Sequence, residues 1–207
     1  PAVRHLSALL IFWYMVLLAA SQLVALGLFL GPFLETSPFW SLAAGTGLVL
    51  VYLLRGGLFS VVATDVLQCL LLGTGVLGLA AHLGRRPVAA ALLDGGVRSG
   101  LEPGLGTNLL VALSFVLAWT ISPIAWQRAQ AAASEKKARQ GFLAAAAAFT
   151  VLYGLVVLIG LLAAPLPGLR ESGQPVISGL IMSWTGPWLG ALLFVAVIAA
   201  ILSTLDT

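Results

Sequence analysis

The chain has 207 residues, of which 60% are hydrophobic and only 8% are charged, and its formal net charge is +3. A soluble domain carries about 25% charged residues, so this composition excludes a soluble globular protein and predicts an integral membrane protein. The ten Lys and Arg residues are dispersed over loops without a basic stripe, which argues against nucleic acid as a partner, and the single cysteine excludes an internal disulfide.

Six apolar segments approach or exceed the roughly 20 residues that a helix needs to cross a bilayer. In chain order we predict helices over about 6–30, 39–54, 58–83, 107–126, 141–164 and 183–207. The polar, glycine-rich link over 84–106 predicts a loop. The predicted fold is therefore an all-α integral membrane protein that forms one membrane domain over 1–207. Because the chain begins with Pro1 and stops inside an apolar run, we expect it to be a fragment.

Basic residues in the loops predict the orientation in the membrane. Six of them fall on one side of the predicted topology: Arg4, Arg55, Arg128, Lys136, Lys137 and Arg139. The other side has Arg85, Arg86, Arg98 and Arg170, balanced by Glu35, Asp94, Glu102 and Glu171. The positive-inside rule therefore predicts a multi-pass protein of the cell membrane with a cytoplasmic N-terminus and a cytoplasmic 127–140 loop.

Polar side chains close the last apolar segment, where Ala200, Ser203 and Thr204 share one helical face. Polar groups inside a membrane helix usually face a pathway or a partner. A carbonyl beside two hydroxyls is hard-oxygen chemistry that suits an alkali cation. The alternative is that these hydroxyls bond back to the preceding turn or hold two helices together.

Asp65 lies about two turns into the third predicted helix, and Gln68 follows one turn later on the same face. An ionisable side chain inside a membrane helix is a functional candidate, and Gln68 could bond to it. An equally good alternative is an interfacial aspartate near a helix N-terminus, where the helix dipole favours negative charge.

Pro123 interrupts the fourth predicted helix. Its missing N–H predicts a free carbonyl at Trp119, and Thr120 and Ser122 could satisfy backbone groups near the break. Aromatic rings beside a broken membrane helix resemble a small-solute pocket. Broken helices also form ion and substrate sites in secondary transporters. The alternative is a packing kink with Trp119 facing lipid or a neighbouring helix.

Three motifs follow one another along the chain. The stretch 55–68 contains G-G-x-x-x-V-x-x-T-D-x-x-Q, the stretch 126–139 contains Q-R-x-x-A-A-x-S-x-x-x-A-R, and residues 199–206 match A-A-I-M-S-T-x-D with one change. Together they resemble the solute:sodium symporter family, which includes proline, sugar, pantothenate and monocarboxylate transporters. The resemblance implies a ten-helix inverted-repeat core of the leucine-transporter type, of which this chain supplies core helices three to eight.

The resemblance also implies roles for particular residues. Sodium is bound by the carbonyl of Ala200 and the hydroxyls of Ser203 and Thr204, and Asp65 lies on the cytoplasmic sodium exit route. The candidate substrate-binding residues surround the helix break: Phe115, Trp119, Ser122 and Pro123. Of the aromatic–aromatic–proline set in the proline-transporter branch only Pro123 is kept in type, so proline is not indicated as the solute.

The predicted function is sodium-coupled symport of a small organic solute, such as an amino acid, a carboxylate, a sugar or a vitamin-like compound, by alternating access. Na⁺ is the co-transported ion, and no organic cofactor is expected. The chain has no G-x-x-x-x-G-K-[ST] loop, so ATP-driven transport has no support. The alternative is a non-transporting membrane sensor or assembly subunit on the same scaffold. An enzyme is not predicted, because candidate catalytic groups are scattered.

Overall fold

The computed structural model describes residues 2–53, 58–86, 104–120, 122–169 and 173–205. Within these ranges no strand occurs, which confirms the prediction of an all-helical chain. Several residues named above lie outside the described ranges: Pro1, Arg55, Asp94, Arg98, Glu102, Arg170 and Glu171, together with position 206 of the third motif.

Eight helices occupy the described part of the chain. They are α1 (Ala2–Leu34), α2 (Pro38–Leu53), α3 (Leu58–Gly84), α4 (Leu105–Thr120), α5 (Pro123–Ala131), α6 (Glu135–Ala163), α7 (Val176–Ser183) and α8 (Pro187–Leu205). Three of these helices begin at a proline, which suits the first helical position because its missing N–H needs no partner there. The start of α6 is capped by Ser134, whose Oγ accepts a hydrogen bond from the N–H of Lys137 at 3.3 Å.

Two compact units divide the chain. The first unit joins Pro1–His82 with Leu166–Thr207, and the second unit is Leu83–Pro165. The first unit therefore brings the last helix of the chain against helices that precede it by more than a hundred residues.

Within the first unit, α3 and α8 are linked at both ends by hydrogen bonds. Ser203 Oγ donates to Asp65 Oδ1 at 2.6 Å, and His82 Nε2 donates to the carbonyl of Trp184 at 2.9 Å. The lower-numbered end of α3 meets the higher-numbered end of α8, so the two helices run antiparallel. At 1.5 Å per residue, the stretch from Asp65 to His82 is about 25 Å long, which is most of the roughly 30 Å hydrocarbon thickness of a bilayer.

Glycines of α3 allow close contact with α8 between these two ends. A Cβ atom at Gly75 would lie 3.4 Å from both Ala196 Cβ and Leu193 Cδ2, and one at Gly78 would lie 3.0 Å from Leu189 Cδ1. Small residues at such positions let membrane helices approach and gain van der Waals contact. The contacts fall in the same antiparallel register as the terminal hydrogen bonds.

Aromatic rings and a buried hydroxyl attach α1 to the last two helices. The ring of Phe194 lies 5.5 Å from that of Phe29 and 4.9 Å from that of Phe33, measured between centroids. Ser178, which is fully buried in α7, donates to the carbonyl of Phe29 at 3.4 Å. The middle of α8 therefore packs against α1 as well as α3.

The helices α1 and α2 form a tight hairpin. A Cβ atom at Gly45 would come within 2.5 Å of Leu26 Cδ2, so this position accepts no larger residue without a shift of Leu26. The hydroxyls of Thr36 and Ser41 share a hydrogen bond of 3.0 Å across the turn, and Ser41 is fully buried. Its hydroxyl is therefore satisfied within the hairpin.

Four described helical stretches are long and apolar enough to cross a membrane, namely Val3–Leu34, Asp65–Gly84, Glu135–Ala163 and Pro187–Leu205. A fifth is obtained if the bent pair α4 and α5 is taken as one span. Helix α2 has 16 residues, which is shorter than the usual span.

The helix bounds differ from the predicted segments at several places. α1 begins at Ala2 and α6 at Glu135, earlier than predicted, and the predicted 107–126 helix is divided into α4 and α5. α1 continues through Pro32 to Leu34 instead of stopping at Gly31, and the N–H of Glu35 still reaches the carbonyl of Gly31 at 3.1 Å. The last predicted segment began at Ser183, where the structure instead ends the short helix α7 and begins α8 at Pro187. Proline at the first helical position separates these two helices.

Replacing Gly75 by leucine should destabilise the first unit. The new side chain would meet Ala196 and Leu193, and overpacking of this kind costs about 1–3 kcal/mol. Gly73 provides the matched control, because a Cβ there has nothing within 4 Å. We expect Gly75→Leu to lower the thermal unfolding temperature of the purified protein clearly more than Gly73→Leu. Equal losses would contradict the contact between α3 and α8.

Candidate functional site

The hydrogen bond between Ser203 and Asp65 joins two residues that are 138 positions apart in sequence. Both side chains are half-buried, and the O···O distance of 2.6 Å lies within the range for a hydroxyl that donates to a carboxylate. Asp65 lies beyond the first turn of α3, where a helix dipole has fallen off. The favourable contact at Asp65 is therefore the hydrogen bond from Ser203 of α8, and not the dipole of α3.

The hydroxyl of Thr204 has a different hydrogen-bond partner from the hydroxyl of Ser203. Its Oγ1 donates to the carbonyl of Ala200 at 3.1 Å, one turn earlier in α8. This is the bond back to the preceding turn that the alternative interpretation of these hydroxyls describes. It is equally compatible with a cation site, because a hydroxyl has one hydrogen and two acceptor lone pairs. A cation that approaches Ser203 or Thr204 meets an oxygen whose hydrogen is already directed elsewhere.

Gln68 adds a further oxygen to this end of α3. Its Oε1 atom is buried and accepts no hydrogen bond from the described residues. A buried acceptor without a partner costs about 1–3 kcal/mol, so such groups are uncommon in native proteins. The expected use of Gln68 as a partner for Asp65 does not involve this oxygen, since a carboxylate oxygen and an amide oxygen both accept.

The proline break lies between α4 and α5 in the second unit, and the two helix axes differ by 47°. The sequence predicted a free carbonyl at Trp119, and this prediction is wrong. The carbonyl accepts a hydrogen bond from the N–H of Ser122 at 3.2 Å. The hydroxyl of Thr120 donates to the carbonyl of Val116 at 2.8 Å. The break therefore satisfies this part of its backbone by a tight turn at Ser122.

Trp126 has a role that its position alone did not suggest. Its Nε1 donates to the carbonyl of Thr120 at 2.8 Å, so the indole reaches from α5 back across the break. The missed signal is its position three residues after Pro123, which places it one turn into the second helix.

The candidate substrate residues differ in exposure. Phe115 and Trp119 are 62% and 56% exposed, whereas Ser122 is only 3% exposed and Pro123 is half-buried. Phe115 and Trp119 lie one turn apart on α4, so they share a face of that helix. The structure thus places the two rings on one face and the small polar residue inside the break.

His82 forms the other end of the α3–α8 contact, and sequence reasoning gave it no partner. A backbone carbonyl can only accept, so the bond to Trp184 requires that Nε2 carries the proton. The two residues are 102 positions apart, and no spacing in the sequence indicates their pairing. The contact holds the turn before α8 against the end of α3.

Comparison with known proteins gives one match. The model of the sodium:solute symporter family matches residues 98–207, which is more than half of the chain. The match includes the second and third motifs, and it confirms the resemblance that these motifs carry. No curated protein and no solved structure matches the chain.

A double-mutant cycle tests the bond between Asp65 and Ser203. We expect Asp65→Ala and Ser203→Ala to be coupled in apparent unfolding free energy by about 0.5–3 kcal/mol, because contacting partners are not additive. The control cycle pairs Asp65→Ala with Thr204→Ala, whose hydroxyl bonds its own helix. If both cycles gave the same coupling, the Ser203 hydroxyl would not be the partner of Asp65.

Proposed function

Because the chain belongs to the sodium:solute symporter family, we propose that it forms part of a symporter that carries a small organic solute together with Na⁺ by alternating access. The chain is part of a multi-pass membrane protein that is a transporter and not an enzyme. The observation that carries the proposal is the bond between Ser203 and Asp65, since it joins a residue of the first motif to a residue of the third.

The proposed scaffold is a ten-helix inverted-repeat core. In it, α1, α2, α3, the α4–α5 pair, α6 and α8 are core helices three to eight, in that order. The broken pair α4–α5 supports this assignment, because transporters of this kind bind substrates and ions at discontinuous helices. The N-terminus and the 127–140 loop are proposed to be cytoplasmic, which puts Asp65 and Ser203 towards the cytoplasmic end of α3 and α8.

The proposed sodium ligands are the Ala200 carbonyl and the hydroxyl oxygens of Ser203 and Thr204. These three oxygens belong to one turn of α8, and oxygen ligands suit a hard cation. The carboxylate of Asp65 touches the hydroxyl of Ser203 and therefore brings a negative charge beside the site. That charge attracts a cation that is leaving towards the cytoplasm, which is the role proposed for Asp65.

The solute is proposed to bind at the helix break, on Phe115 and Trp119 with Ser122 and Pro123. Exposed rings on one face of α4 provide apolar contact, and the buried Ser122 provides a polar group for orientation. The proposed solute is an amino acid, a carboxylate, a sugar or a vitamin-like molecule.

Sodium entry supplies the driving force in this proposal. One charge that crosses 100 mV releases about 2.3 kcal/mol, which corresponds to nearly fifty-fold accumulation per ion. Coupling requires Na⁺ to bind more tightly to the solute-ready conformation than to the other conformation, because a ligand shifts an equilibrium only by its differential affinity.

Removing the Thr204 hydroxyl should weaken sodium binding. In the intact protein we expect Thr204→Ala and Ser203→Ala each to raise the half-saturating Na⁺ concentration several-fold, measured with radiolabelled sodium so that no solute is needed. Thr74→Ala is the matched control, because Thr74 also donates to a carbonyl of its own helix but is exposed and lies about 13 Å along α3 from Asp65. Unchanged sodium affinity in both test variants would refute the proposed ligands.

Removing the charge of Asp65 should slow transport at low sodium. The variant Asp65→Asn keeps an oxygen that can accept from Ser203 but loses the negative charge, so the expected defect is one of electrostatic attraction. Uptake into proteoliposomes over a sodium titration provides the measurement, with solutes from the proposed classes as probes. Glu35→Gln serves as the control, since Glu35 lies in the turn between α1 and α2. Wild-type rates for Asp65→Asn at every sodium concentration would contradict the exit-route role.

A further inference from the structure

A cavity of about 230 Å³ that is open to the surface lies in the second unit, at the corner where α5 turns into α6. Arg128 from α5 and Lys137 from the first turn of α6 provide its charged lining, and Phe142 and Ala145 continue the lining along α6. Neither the sodium site nor the helix break proposed above uses this corner.

The charges around the cavity favour an anionic ligand. Among the described residues, its lining includes two cationic side chains, Arg128 and Lys137, and no acidic one. The surrounding loop adds Lys136 and Arg139 against a single acidic residue, Glu135. A guanidinium and an ammonium group that line one cavity suit a phosphate group, with Arg as a fork of donors and Lys as a point charge.

The remaining lining indicates that the ligand also has an apolar part. Phe142 is 47% exposed, and Ala145 follows it by about one turn on the same face of α6. The cavity therefore lies where the charged start of α6 gives way to its apolar run, and α6 is a candidate membrane span. A free phosphate ion would use the charged end of this cavity but not the apolar wall.

We propose that this corner binds one anionic phospholipid. The phosphate lies between Arg128 and Lys137, and the start of an acyl chain lies along Phe142 and Ala145. If the 127–140 loop is cytoplasmic, the site faces the leaflet whose anionic lipids attract basic segments next to membrane helices. The lipid would tie α5 to α6 just after the broken helix. The proposal depends on membrane insertion but not on sodium coupling.

Two variants that remove equal charge separate a specific site from general attraction. Arg128→Gln with Lys137→Gln removes the two cationic lining residues, whereas Lys136→Gln with Arg139→Gln removes two cations of the same loop outside the lining. The intact protein, purified in detergent, is titrated with phosphatidylglycerol, and bound lipid is counted by native mass spectrometry. Because a hydrogen bond to a charged group is worth about tenfold or more in affinity, we expect the cavity pair to weaken binding by more than about tenfold. The control pair makes no such contact and should weaken binding about twofold or less. Equal weakening would overturn the proposal.

Two further arms test the apolar wall and the identity of the ligand. Phe142→Ala should weaken phosphatidylglycerol binding several-fold, whereas Phe149→Ala, an exposed phenylalanine farther along α6, should leave it unchanged. Both phenylalanine variants keep all their charges. They therefore test the site even if the variants that lose two cationic residues fail to fold. Equal binding of phosphatidylcholine would overturn the requirement for a negative lipid. Displacement of the lipid by inorganic phosphate at similar concentration would assign the site to a free anion instead.

Discussion

The antiparallel register of α3 and α8 is the constraint on which the rest of the first unit depends. One hydrogen bond closes it at Asp65 and Ser203, another closes it at His82 and Trp184, and the α3 glycines allow close contact in between. A slip by one residue would rotate α8 by about 100° relative to α3. It would separate Ser203 from Asp65 and bring larger side chains against the glycines.

This register places the polar chemistry at one end of a long apolar contact. In a membrane, apolar side chains pack as well against lipid as against each other, so helix association relies on close packing and on polar bonds. Here the α3 glycines allow the close packing, and the hydrogen bonds at the two ends are the polar bonds. Because Ser203 carries both the bond to Asp65 and a proposed sodium contact, a cation at that hydroxyl acts directly on the bond between the helices.

The break between α4 and α5 in the second unit is stabilised differently from the contact between α3 and α8. Pro123 ends one helix and starts the next, and the resulting turn is held by backbone and indole hydrogen bonds instead of a helix partner. The same unit holds the cationic corner at Arg128 and Lys137, only a few residues after the break. A solute at the break and a lipid at the corner would therefore contact opposite ends of the short helix α5.

Hydropathy predicted the helical class and the approximate location of the spans, because the length of an apolar run is a local property. Pro123 likewise predicted a break, since proline acts on its own backbone. The pairing of His82 with Trp184 was not predictable, because it depends on the register of two helices that are distant in sequence. Motif resemblance gave Asp65 and Ser203 related roles in sodium transport, but only the structure brings their side chains into contact.

Disulfide trapping between α3 and α8 tests the register most directly. A Cβ at Gly75 would lie 3.4 Å from Ala196 Cβ, close to the range of about 3.5–4.5 Å that a disulfide requires. In a Cys69→Ser background, the pair Gly75→Cys with Ala196→Cys should crosslink rapidly in membranes, whereas Gly73→Cys with Ala196→Cys should not. Equal crosslinking of the two pairs, or none for the Gly75 pair, would contradict the register that brings Asp65 to Ser203.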